Sequence, residues 1–246
     1  MKAIVLAAGE GKRLRPLTYG IPKPLLPVGG RPVIDYVMDN IMKCPQIDTV
    51  YVAVSHMRVA LESYVSKVKY DGIKVEPVTT LGWETGGDLK AVLLQKEIKE
   101  GPVLVCYGDN VTRLDTKSLI DAHKKNKGAY ATVSLFSVPH RDVPRFGIAE
   151  LEGNRISKFL EKPVEGTTTS RLANAGYFVL DASAVAGIPM RKFKLESEYF
   201  PSWAAAGNLY GQAQDINFWM DIGTVEAYCE ANKAADEILP PPEAEE

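Results

Sequence analysis

The sequence predicts an α/β fold built on a largely parallel sheet with helices covering both faces. Three features carry this expectation. Short, continuously apolar runs recur through the first half of the chain, as in strands buried on both sides. Segments with apolar residues at helical spacing separate those runs. Two of the runs stop abruptly at glycines followed by charged residues, which places polar groups at the carboxyl edge of such a sheet, the usual ligand crevice of open α/β folds.

In order, Ala3 to Ala8 reads as the first buried strand. Residues 32–44 read as a helix, with Val33, Val37 and Ile41 in phase and Pro32 where a first turn tolerates it. TVYVAV (49–54) is the second strand. Residues 57–68 form a helix with Met57, Leu61, Tyr64, Val65 and Val68 on one face. IKVEPV (73–78) is a third strand, Thr85 to Ile98 a third helix, and 102–110 a strand ending at Gly108-Asp109, followed by an amphipathic helix over 115–127. The second half changes character. Strands at 130–138, 146–151, 155–160 and 176–181 follow one another through short turns, with Glu152-Gly153-Asn154 a hairpin turn and 164–171 a loop. A helix is expected over 195–207. Thr224 is placed to cap a last helix running to about Ile238.

This gives one domain over 1–238, with a first half to about 127 and a second half to 238. A proline-acidic tail, 239–246, has nothing to bury and is expected to be disordered. No internal repeat occurs, and no β-helix hexapeptides. The chain has 246 residues, 46% of them hydrophobic and 24% charged, with a net charge of −2. That balance offers no general attraction for nucleic acid, so any anion binding must be local. No apolar stretch approaches the roughly 20 residues of a membrane span, and there is no signal-peptide pattern. Cys44, Cys106 and Cys229 are widely separated and odd in number, which argues against disulfides or zinc and for a reducing, cytoplasmic setting.

The stretch richest in chemistry is AIVLAAGEGKRLRPLTYGIPKPLLPV (3–28). A buried strand runs into Gly9-Glu10-Gly11 and then into Lys12, Arg13, Arg15 and Lys23 among prolines. Backbone N–H groups and cations at such a turn suit a phosphate. The two common phosphate loops do not fit. GxGxxG needs a glycine where Leu14 stands, and GxxxxGK[ST] fails at positions 6 and 13. Asp109 and Asp221 each end an apolar strand, the latter in FWMDIGT. Either alone reads equally well as a turn residue. Together with the cationic loop they make a coherent phosphoryl-transfer set, and a small number of hard oxygen ligands suits Mg²⁺. Glu161-Lys162-Pro163 ends a strand and by itself is a weak signal. Gly147 and Gly176 sit at strand starts, where a glycine permits close approach of a ligand or simply a bulge. His56, His123 and His140 fit no triad and no metal spacing. His123 reads as a helix-surface residue, and no Ser or Cys has a paired base.

Taken together, LAAGEGKRLRPLT, IPKPLLPVGGRP, CYGDN, FGI, LEKP, NAGYFVL and FWMDIGT stand in the order found in sugar-1-phosphate nucleotidyltransferases. The chain resembles the glucose-1-phosphate thymidylyl- and uridylyltransferases and the mannose-1-phosphate guanylyltransferases over residues 1 to about 235. The resemblance implies a Rossmann-like nucleotidyltransferase fold with a mostly parallel, mixed central sheet. It implies an enzyme that joins a nucleoside triphosphate and a sugar 1-phosphate into an NDP-sugar and pyrophosphate, commonly as a homo-oligomer and without nucleic acid or membrane. By matching positions, Arg13 and Lys23 would be catalytic and Asp109 and Asp221 would hold Mg²⁺. Leu6, Ala7, Ala8, Gly9, Gly11, Glu76, Gly86 and Gly87 would contact the nucleotide. Gly147, Glu161, Lys162 and Asn174 would contact the sugar phosphate.

The base-reading stretch VEPVTTLGWETGGDLK departs from the family pattern. It lacks the usual Gln, and Trp83-Glu84 looks inserted. UTP or dTTP with glucose 1-phosphate is the first expectation, and GTP with mannose 1-phosphate or a cytidylyl transfer to glucose 1-phosphate the alternative. A non-catalytic sensor of nucleotide or sugar is a rival of another class, as is a cytidylyltransferase for a non-sugar phosphate. The retained Arg13, Lys23, Asp109 and Asp221 speak against the first, and Glu161, Lys162 and Asn174 against the second.

Overall fold

A computed structural model describes residues 1–70 and 72–238; the expected acidic tail lies outside the described residues. The strands are β1 (Lys2–Leu6), β2 (Pro27–Val28), β3 (Arg31–Pro32), β4 (Thr49–Val54), β5 (Lys74–Thr79), β6 (Pro102–Tyr107), β7 (Asn110–Thr112), β8 (Ala131–Ser137), β9 (Gly147–Glu152), β10 (Arg155–Glu161), β11 (Leu172–Asp181), β12 (Leu209–Ala213) and β13 (Trp219–Asp221). The helices are α1 (Val33–Met42), α2 (Arg58–Lys67), α3 (Glu84–Gln95), α4 (Thr116–Lys125), α5 (Leu195–Glu198), α6 (Phe200–Ala205) and α7 (Val225–Ile238).

Nine strands form one mixed sheet in the order β5-β4-β1-β6-β11-β8-β12-β10-β9. The β5-β4-β1-β6 half is parallel throughout. Beyond β6 the neighbours are antiparallel apart from the β8–β12 pair. The continuous apolar runs have the cause the sequence suggested. Side chains alternate along a strand, so Ala3 and Val5 of β1 join one core with Ile34, Val37 and Ile41 of α1, while Ile4 joins a second with Leu89 and Val92 of α3 and Phe200 of α6. A third cluster, away from the sheet, packs Ala231 and Ala235 of α7 against Leu14, Leu26, Val111 and Ile222. It anchors the cationic loop.

Four differences from the expected elements have local causes. The helix expected over 195–207 is broken into α5 and α6 at Tyr199, because Pro201 in the first turn of α6 has no N–H to continue the α5 ladder. His123 faces inward, its Nδ1 3.0 Å from Thr132 Oγ1, and burial lowers its pKa. The strand holding Asn174 and Gly176 begins earlier, at Leu172, so these residues lie within β11 at a shift of its register with β8. β12 and the three-residue β7 were not anticipated. Both are too short to show a period.

β7 pairs antiparallel with β13, setting Asp221 opposite Asn110 and therefore beside Asp109. This small ladder is pinned from two sides. Asn110 Nδ2 and Trp219 Nε1 both donate to the carbonyl of Ala175, at 3.0 and 2.9 Å. On the other side, Asn40 of α1 donates to the carbonyl of Thr112 at 2.9 Å and accepts from the N–H of Leu114. Gly176 makes room for this arrangement. Its φ is +79°, and a Cβ there would stand 2.2 Å from Asn110 Nδ2. Gly176→Ala is therefore expected to lower unfolding free energy in urea by about 2–4 kcal/mol, combining backbone strain with displacement of a buried amide.

Candidate active site

A cleft of about 920 Å³ opens along the carboxyl ends of β1, β4, β5 and β6 and continues beneath β9, β10 and β11. Its size is at the upper end of the roughly 300–1,000 Å³ of small-molecule sites. The cationic loop forms one wall. It is held not by regular structure but by two buried side chains, Leu14 and Leu26, and by a turn at Gly11 (φ +63°) whose carbonyl accepts from Leu14 N and Thr18 Oγ1, both at 2.9 Å. A Cβ on Gly11 would meet Thr18 Cγ2 at 2.9 Å, so this turn requires glycine.

Leu6, Ala7, Ala8, Gly9, Gly11 and Arg13 line the cleft as a continuous rim. The N–H of Ala7 donates to the carbonyl of Ala53 at 3.1 Å and so is taken up within the fold. Lys23 reaches into the same corner, where Nζ lies 2.5 Å from Asp109 Oδ2 and 3.7 Å from Asp221 Oδ1. Burial raises the Asp221 pKa and the neighbouring Asp109 charge adds to the rise, while Lys23 and Arg13 oppose it. Asp221 Oδ1 is buried without a hydrogen-bond partner.

Gly147, Glu161, Lys162 and Asn174 line the same cleft. Burial raises the Glu161 pKa against the pull of Lys162 and Lys194. Lys162 holds a left-handed backbone (φ +50°) with its N–H on the carbonyl of Phe146 at 2.9 Å. Such strain in a non-glycine residue persists where the surroundings enforce it, commonly at functional sites. Asn174 Oδ1 accepts from Gly176 N at 2.9 Å.

Three expected nucleotide contacts are not in the cleft. Glu76 lies on edge strand β5, where it is ion-paired with Lys74 and Lys96 at 2.5 and 2.8 Å. Gly86 and Gly87 are buried in α3. Both N–H groups donate to the carbonyl of Phe193, and a Cβ on Gly86 would enter the Phe193 ring at 2.2 Å. These glycines exist for packing. Their place at the cleft is taken by Leu81, Gly82, Glu84, Thr85 and Asp88, with Ser55 and His56 from beyond β4. Asp88 accepts from Trp83 N at 2.9 Å and so shapes the turn before α3. Glu84, in the apparent insertion, has φ +61° and faces Lys192 and Lys194 at 3.5 and 3.7 Å.

Glu196 was missed altogether. LESE carries no motif, and its position became visible only when α5 was placed. Glu196 is 6% exposed, lines the cleft, and accepts from Thr85 Oγ1 at 2.6 Å and from Tyr107 OH. It thereby ties the start of α3 to the strand that leads into Asp109.

The Nucleotidyl transferase family profile matches residues 2–237. A mannose-1-phosphate guanylyltransferase of Mycobacterium tuberculosis is 33% identical over 92% of this chain. A UTP–glucose-1-phosphate uridylyltransferase of Synechocystis sp. is 29% identical over 94% of it. The chain spans 62% of the length of each of these two relatives. Among solved structures, one assigned as a glucose-1-phosphate thymidylyltransferase from Bacillus anthracis superposes with a TM-score of 0.82 at 24% identity, covering 97% of this chain and 96% of that one. HddC of Yersinia pseudotuberculosis, solved with GMP-PN, superposes at 0.75 and 24% identity, covering 94% and 98%. At these identities the two structures establish the fold.

Burial lifts the Glu196 pKa from 4.5 to about 7. The folded state therefore retains a proton that the unfolded chain has already released, so this stabilisation is complete below pH 4.5 and is lost as pH rises through 7. Thermal denaturation across that window should show a decline in stability with rising pH, and Glu196→Gln should flatten it.

Proposed function

The chain belongs to the nucleotidyl transferase family, and from that premise we propose that it transfers a nucleotidyl group from a nucleoside triphosphate to a sugar 1-phosphate, releasing pyrophosphate. The observation that carries this reading is one continuous cleft lined both by Arg13, Lys23, Asp109 and Asp221 and by Glu161, Lys162 and Asn174. A phosphate oxygen of the sugar 1-phosphate attacks the α-phosphorus in line; the new P–O bond forms as the bond to the β-phosphate oxygen breaks. The nucleophile is already ionised, so no general base is needed, and catalysis reduces to positioning and charge neutralisation.

Ala8 and Gly9 supply N–H groups to the triphosphate, and Arg13 and Lys23 neutralise charge developing on it. Glu161 and Asn174 receive sugar hydroxyls, Gly147 keeps the floor low beneath the ring, and Lys162 meets the sugar phosphate. Asp109 and Asp221 would hold Mg²⁺. The buried, unpartnered Oδ1 of Asp221 fits this role, and two carboxylates suit an ion that draws its other ligands from water and phosphate. When bound, such an ion supplies positive charge to the phosphates in transfer. In this reading the first 127 residues or so serve the nucleotide and the remainder to 238 serve the sugar, with Asp221 returning to the first half. No helix among the described residues is long and apolar enough to cross a membrane. Free thiols at Cys44, Cys106 and Cys229 agree with a cytoplasmic setting, and homo-oligomeric assembly belongs to the same proposal.

UTP or dTTP with glucose 1-phosphate is the first pair to test, followed by GTP with mannose 1-phosphate and CTP with glucose 1-phosphate. Four triphosphates assayed against glucose, mannose and N-acetylglucosamine 1-phosphates with Mg²⁺ should release pyrophosphate for at least one pair; silence across the panel would favour a sensor. With the active pair, Arg13→Ala and Asp109→Ala are each expected to slow turnover by about 10²–10³-fold with the circular dichroism of the folded chain retained. Undiminished pyrophosphate release would remove these residues from the mechanism.

A further inference from the structure

The two carboxylates at the foot of the cleft already have a cation between them. Lys23 Nζ stands 2.5 Å from Asp109 Oδ2 and 3.7 Å from Asp221 Oδ1, and its side chain is only 12% exposed. Arg13 is the second cation of the corner. A Cβ on Gly223 would lie 3.1 Å from Arg13 Nη2 and 2.8 Å from Asp221 Oδ1, so guanidinium and carboxylate crowd the same space. The four side chains carry two positive and two negative charges, and the corner is neutral as it stands.

We propose that Lys23 is the resident counter-ion of the Asp109–Asp221 pair and competes with a divalent cation for it, so that the cation's place opens when the ammonium turns to a phosphate. The proposal rests on reading Asp109 and Asp221 as metal ligands. Two carboxylates this close repel each other, and positive charge beside them keeps both ionised. An ammonium at hydrogen-bond distance occupies the Asp109 oxygen that a divalent ion, bound at about 2.0–2.1 Å, would require. It also adds like-charge repulsion to that ion. Satisfaction is unequal, since Asp109 has a direct hydrogen bond whereas Asp221 Oδ1 has a cation only at 3.7 Å.

The geometry lets Lys23 move while its backbone stays. Lys23 begins a short helical turn, Lys23–Leu25, flanked by Pro22 and Pro24 and followed by the buried Leu26, so the stem is fixed at its base. Its four-carbon chain is flexible and its three donors rotate freely. A triphosphate entering beside Ala8 and Gly9 offers oxygens that Lys23 and Arg13 take in exchange for carboxylate oxygens. Asp109 and Asp221 are then left for the divalent ion, and every charged group keeps a partner throughout. Divalent-ion affinity is accordingly low before nucleotide arrives.

Titration of the nucleotide-free protein with Mn²⁺, with free ion counted by electron paramagnetic resonance, tests this without turnover. Lys23→Met keeps the stem and removes the charge, and is expected to bind Mn²⁺ about tenfold tighter than wild type or better, the equivalent of one lost ion pair of about 1.4 kcal/mol. Adding Asp109→Asn should abolish the gain. Mn²⁺ should also raise the melting temperature of Lys23→Met more than that of wild type, which keeps a destabilised variant readable. Lys23→Arg, still cationic, should bind Mn²⁺ no tighter than wild type. Equal or weaker binding by a folded Lys23→Met, or tighter binding by Lys23→Arg, overturns the proposal. A wild type that releases no pyrophosphate yet shows the Lys23-dependent Mn²⁺ effect would refute the proposed reaction and leave the exchange standing. An active wild type without the effect would do the reverse.

Discussion

Two aspartates brought together at the bottom of a cleft impose the central constraint on this structure. Asp109 and Asp221 come from distant parts of the chain, and side by side in the cleft they raise each other's cost of ionisation unless positive charge offsets it. Burial and the Asp109 charge raise the pKa of Asp221, and the cations of the loop hold it down. The prolines, the 3₁₀ turns and the buried Leu14 and Leu26 are the means by which an otherwise irregular loop delivers Arg13 and Lys23 to that corner.

The scaffold meets the same constraint from the other side. A ladder as short as β7–β13 has little stability of its own, so it borrows rigidity from its surroundings. The carbonyl of Ala175 receives both Asn110 and Trp219, and Asn40 holds the opposite edge. Because Ala175 lies between Asn174 and Gly176 at the register shift of β11, the backbone that presents Asn174 to the cleft also steadies the strands that carry the carboxylates. Asn174 and the aspartates belong to one hydrogen-bonded framework.

A second framework governs the wall made by α3. Phe193 fills the space left by Gly86 and takes the N–H groups of Gly86 and Gly87, while Glu196, one turn onward, holds Thr85 and Tyr107. The wall is therefore shaped by residues a hundred positions away. The Trp83-Glu84 pair sits where that wall meets Lys192 and Lys194, and the left-handed backbone of Glu84 reflects the fit demanded there.

Much of this was legible in the residues alone. The buried strands β1, β4 and β6, the helices α1 to α4 and the capping of α7 by Thr224 follow from apolar period and end signals that act over a few residues. The glycine-cation loop and the strand-end aspartates announce phosphate and hard-metal chemistry through residue type and order, and the ordered motifs announced the family. What the residues did not announce were contacts made across the fold. Glu76, expected at the nucleotide, is ion-paired with a lysine on its own strand and with one at the end of α3. Gly86 and Gly87, expected beside the nucleotide in the base-reading stretch, have Phe193 packed against them, and Glu196 carried no signal at all. Local sequence determines which backbone forms and which chemical groups it carries. Tertiary structure alone decided which carboxylates lie within reach of a cation and which glycines face a ring instead of a ligand, because packing and electrostatics act through space between segments whose separation along the chain leaves no local trace.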